Sequence, residues 1–116
     1  DVQLGLTVLG GRREKLLGML RTMVMSHRND MVELEACLLR GASTEARRIA
    51  HTLKGVAMTL GAKALAEAAR ALENALRAAP APVDGDLPLL MATVTQRLEH
   101  LATLLRDVTV GGNDAP

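Results

Sequence analysis

His51, Lys54 and Gly55 stand within five residues of one another, and their helical spacing puts the histidine where chemistry can reach it. On a wheel of about 100° per residue, Ile49, Leu53, Val56 and Leu60 fall within about 60° of one another and form an apolar stripe. His51 then lies roughly 160° from the stripe centre, and Arg47, Lys54, Gly55 and Met58 share that outer face. An imidazole is largely neutral at physiological pH and is then a nucleophile. Lys54, three residues on, can bring an ammonium beside anything attached to the ring. A glycine inside a helix costs about 1 kcal/mol relative to alanine; at position 55 it leaves room beside the imidazole for another molecule. Phosphoryl transfer fits these parts. The outer ring nitrogen, Nε2, is the expected site of attachment, with Lys54 and water around the anionic oxygens. The plainer alternatives are a surface histidine and a glycine kept for close packing.

Glu73 is the candidate partner of His51. Leu65, Ala69, Leu72 and Leu76 form the stripe of its helix, and Glu73 sits about 80° off that stripe, at the boundary with a neighbour. A carboxylate there can accept from Nδ1–H and fix the tautomer, as happens at other working histidines. The alternative is a solvated boundary charge.

Elements must hold these residues in place. Strand signals are nearly absent, and apolar residues recur at helical spacing almost throughout. A short helix is expected over 2–9, ending at Gly10-Gly11, then helices over 12–27, 30–40, 44–60 and 62–79 and a last one from 87 to about 109. Leu16, Leu20 and Met23 face inward on the second, and Met31, Leu34, Cys37 and Leu38 on the third. Asp30 with Glu33 resembles a capping box. Ser43 is the expected cap of the His51 helix, and Gly41 and Gly61 the stops. Asp86 caps the last helix, with Pro88 in its first turn. Leu87, Val94, Leu101 and Val108 repeat every seven residues, beside Met91, Leu98 and Leu105. The expected fold is all-α: an antiparallel up-down four-helix bundle with one or two short N-terminal capping helices. Residues 1–110 form a single domain, and 111–116 a flexible tail.

Composition narrows the function classes. The 116 residues carry 48% hydrophobic side chains, enough for one core, and a net charge of +1, too small to steer the chain to nucleic acid or anionic lipid. There is no Phe, Trp or Tyr, so bases cannot stack on aromatic rings. The single cysteine, Cys37, reads as a buried thiol in a reducing compartment. No apolar run spans a bilayer and no signal-peptide layout is present, which points to a cytoplasmic location. With no initiator Met, the chain reads as a piece of a longer one or a processed form. His27 and His100 read as structural or surface residues. His27 with Asp30 is the one pair at metal-ligand spacing, and two ligands are too few, so no metal site is expected. No Gly-rich phosphate loop occurs. The six methionines read mostly as core.

Residues 47–76, RRIAHTLKGVAMTLGAKALAEAARALENAL, resemble the histidine-containing phosphotransfer (HPt) family. The hallmark A-H-x-L-K-G corresponds to Ala50, His51, Leu53, Lys54 and Gly55, followed by Gly61, Leu65, Leu72 and Glu73. Residues 5–11, GLTVLGG, resemble the leading segment of such modules at the C-terminal end of hybrid sensor histidine kinases. The resemblance implies that His51 is the phosphorylated histidine and that Lys54, Gly55 and Glu73 support the phosphoryl site; Arg47 and Met58, which share the His51 face, are expected to help dock the partner. It implies a phosphocarrier without kinase activity of its own. Such a carrier takes phosphoryl from the aspartate of one response-regulator receiver domain and passes it to another; some family members receive it from a kinase core. No cofactor is expected on this chain. Mg²⁺ belongs to the partner receiver. Two features depart from the family. An aromatic residue is common in the helix around 20–25, where this chain has Leu20, Met23, Val24 and Met25. The family's frequent Gly-Asp before the histidine helix is Gly41-Ala42 here. The competing reading is a non-phosphorylated docking module. Either would be a monomer, since one apolar stripe on the last helix is consumed by the bundle.

Overall fold

The computed structural model describes residues 13–78 and 86–114, with side chains described through residue 108. The expected helix over 2–9 and residues 115–116 lie outside the described residues. Five helices follow one another: α1 (Arg13–His27), α2 (Asp30–Leu39), α3 (Ser43–Thr59), α4 (Lys63–Ala78) and α5 (Leu87–Asp114). The described residues are an all-helical bundle with no strand.

Helices α2 and α3 both end in the same way. Gly41 and Gly61 adopt φ of +81° and +79°, a region open to glycine at no steric cost. At the first, Ala42 N donates to Cys37 O and Gly41 N to Leu38 O; at the second, Ala62 N donates to Ala57 O and Gly61 N to Met58 O. These paired bonds satisfy carbonyls that the helix end would otherwise orphan. The chain thereby turns sharply within three residues, and α3 and α4 make the most extensive contact between any two elements.

One apolar cluster joins all five helices, with Leu20, Leu34, Leu53, Leu72 and Leu98 among its most deeply buried side chains. Cys37 is buried with them and free. The stripe of α3 differs from expectation. Its buried positions are Ala46, Ala50, Leu53, Ala57 and Leu60, while Ile49 and Val56 are only partly buried. Alanines let the backbones of neighbouring helices approach closely, so the small residues face inward and the branched ones flank them. This turns the stripe centre by about 50° toward Lys54.

Other expectations change at the helix ends. Asp30 opens no capping box: its carboxylate accepts instead from His27 Nδ1 at 2.7 Å, and the cap residue Asn29 makes no side-chain bond. Helix α3 begins at Ser43 with Ala42 as cap, again without a side-chain bond. Helix α5 runs to Asp114, past its expected end near residue 109; extending an existing helix requires no new nucleus. Helix α1 is no short cap, since Leu16, Leu17, Leu20, Met23 and Val24 enter the common core. Of the methionines, Met23, Met31 and Met91 are core, but Met19, Met25 and Met58 are exposed.

Candidate functional site

His51 projects from the middle of α3, its side chain 65% exposed. Behind it stands Glu73 of α4, the one buried charged side chain among the described residues, only 5% exposed. His51 Nδ1 lies 2.8 Å from Glu73 Oε2. Lys54 Nζ lies 2.8 Å from Oε1, an ion pair whose angles fall short of a directed hydrogen bond. Arg77, one turn along α4, donates to Oε2 at 3.1 Å.

These distances fix the tautomer. The Lys54 ammonium holds the Glu73 carboxyl below the usual carboxylate range, against the opposing effect of burial and with His51 adding to it. Glu73 is therefore ionised at neutral pH and can only accept. The proton of a neutral His51 ring must sit on Nδ1, which leaves the Nε2 lone pair directed away from the bundle.

The rotated stripe of α3 explains the placement of the cation. Lys54 does not share the outer face with His51; it sits on the flank facing α4, only 23% exposed, with its ammonium turned in to Glu73. Arg47 is half-buried and Met58 exposed. Gly55 is exposed, and a Cβ built there meets nothing within 4 Å. Packing within the chain thus gives no reason for the glycine.

An open groove of about 990 Å³ runs between α1 and α3, with His51 at its rim. Gly18, Met19 and Met23 line one wall, and Gly55, Val56 and Leu60 the other. Neither Arg47 nor Met58 is among the lining residues. Gly18 escaped the sequence reading. It too sits inside a helix with open space where a side chain would be, and a second unexplained mid-helix glycine was the available signal. His27 also lines the groove, paired with Asp30, whose carboxyl burial pushes up and His27 partly offsets. No cluster of three metal-ligating side chains occurs among the described residues. His100 lies on the exposed surface of α5.

An outward imidazole braced by a buried carboxylate beside an open apolar groove has the parts to accept a small group. The family model for the Hpt domain matches residues 18–108, most of the chain, and the chain belongs to that family. Hpt domains are phosphocarriers rather than catalysts; they serve phosphotransfer in two-component signalling and interact with response-regulator receiver domains. No curated protein and no solved structure gave a significant match to the chain. No described helix is long and apolar enough to cross a membrane.

Proposed function

We propose that this domain is a phosphorelay intermediate whose His51 takes a phosphoryl group from one receiver aspartate and passes it to another. The observation that carries the reading is the 2.8 Å contact between His51 Nδ1 and a buried, ionised Glu73. It holds the ring in the one tautomer that presents a lone pair at Nε2. In the transfer, that lone pair forms a bond to phosphorus. The P–O bond to the donor aspartate breaks, and its electron pair leaves with the carboxylate. Nδ1 keeps its proton throughout, and Glu73 balances the positive charge that develops on the ring. Onward transfer reverses these bonds on a second receiver.

The rest of the catalytic equipment belongs to the receiver, including Mg²⁺ and the carboxylates that bind it. The groove between α1 and α3 accepts the partner: Gly18 and Gly55 permit close approach, and Met19 supplies exposed apolar surface. Met58 and Arg47 extend the contact on the other side of His51. The three-residue turns support an antiparallel up-down arrangement, in our reading a single domain over 1–110 that acts as a monomer. The leading segment GLTVLGG supports a place at the C-terminal end of a cytoplasmic hybrid sensor kinase.

The test is incubation with a receiver phosphorylated on its aspartate, in Mg²⁺. The wild-type domain should acquire acid-labile label and His51→Gln none. Label on the His51→Gln chain would overturn the assignment. A wild-type chain that binds the receiver but takes no label would establish the docking-only role instead.

A further inference from the structure

Glu73 is served by two permanent cations, although one would neutralise it. Lys54 lies at Oε1 and Arg77 at Oε2. Phosphorylation of His51 would add about two negative charges on the outer side of the ring. Lys54 stands three residues after His51, and its ammonium, 2.8 Å from the same carboxylate that the imidazole touches, is a cation that a flexible stem could carry there. It cannot serve both anions fully, and a buried carboxylate left without a counter-charge is strongly disfavoured.

We propose that Arg77 is a positioning residue: it keeps Glu73 neutralised while Lys54 turns from the carboxylate to the phosphoryl group on His51. The inference rests on the reading that His51 carries phosphoryl. Its geometry is already in place. Arg77 shares Oε2 with the imidazole, four residues after Glu73 on α4, and its side chain is 61% exposed, free to shift as Lys54 departs. A guanidinium carries five donors in a fork and stays charged at any working pH, so it can cover both carboxylate oxygens at once. The resting site thus stores a spare positive charge that phosphorylation calls on.

The experiment uses phosphoramidate as a small-molecule donor, so that no docking step intervenes. Phosphohistidine lifetime is followed by phosphorus NMR in the wild type, Lys54→Ala, Arg77→Gln, the double variant and Arg77→Lys, with circular dichroism to confirm folding. Arg77→Gln should shorten the lifetime by about threefold, the scale an exposed ion pair can transmit. Lys54→Ala should shorten it at least as much. The double variant should be no shorter-lived than Lys54→Ala alone, because Arg77 acts through the lysine. Arg77→Lys should restore most of the loss, which a merely structural arginine would not explain. An unchanged lifetime in Arg77→Gln, or losses that multiply in the double variant, would overturn the proposal while leaving His51 as the carrier. A wild-type chain that takes no phosphoryl group would remove the His51 reading itself.

Discussion

Glu73 couples the chemistry of its site to the stability of the fold. Its carboxyl titrates lower in the folded chain than in the unfolded one, chiefly because of Lys54. A depressed folded pKa means that folding favours the ionised form. That stabilisation is fully present above the unfolded value near 4.5 and is lost as pH falls through the lower folded value. Glu73→Gln should therefore lie furthest below wild type at neutral pH, and the gap should narrow as pH drops past 4.5 into strong acid. Urea unfolding of both chains across that range measures it; parallel stability curves would show that the carboxylate contributes nothing through its charge. At this scale the sequence was informative about the outward position of His51, which helical spacing sets, and it offered Glu73 as a candidate partner with a solvated charge as the alternative. It was less informative about Lys54. Whether a flank residue turns out to water or in to a carboxylate depends on how two helices rotate against each other.

Helix α3 carries its function at a cost to its own stability. Gly55 has free space around it, so Gly55→Ala should add stability by up to about 1 kcal/mol, the difference in helix propensity. Gly55→Leu should also keep its helical circular dichroism. Both should slow transfer from a phosphorylated receiver, leucine far more than alanine, by crowding the approach to Nε2. Destabilisation by Gly55→Ala, or full transfer by Gly55→Leu, would remove the clearance role. The helices themselves were legible to within about a residue at most ends, because Gly41 and Gly61 are strong local stops. The failures have a common cause. The local spacing of Asp30 and Glu33 predicts a cap, but His27 competes for the Asp30 carboxylate at 2.7 Å. The clustering of Ile49 and Val56 with Leu53 and Leu60 on the helical wheel points to them as core, whereas close helix packing places Ala46, Ala50 and Ala57 in the interior.

The whole molecule rests on one aromatic-free core to which every described helix contributes. Leu98, about 1% exposed on α5, lies far along the chain from Leu53 of the His51 helix yet belongs to the same cluster. Leu98→Ala should cost about 2–5 kcal/mol. The helices should be lost in a single transition, because a core this size unfolds as a unit. Two separate transitions by circular dichroism would mean that the bundle is divided. Most of the large core side chains outside α3 could be named from heptad and helical spacing, among them Leu20, Leu34, Leu72, Val94 and Leu98. The groove between α1 and α3 could not, since it depends on how two helices distant in sequence stand apart, and no local pattern encodes that. Yet the groove has a consequence for the lineage of such a domain. Positions 18 and 55 open into it without touching the interior, so side chains can be added there while the packing stays the same. A duplicated copy could change which receiver it answers to through a few surface substitutions, gaining helix stability as it does so, and pathways could diverge without the fold being put at risk.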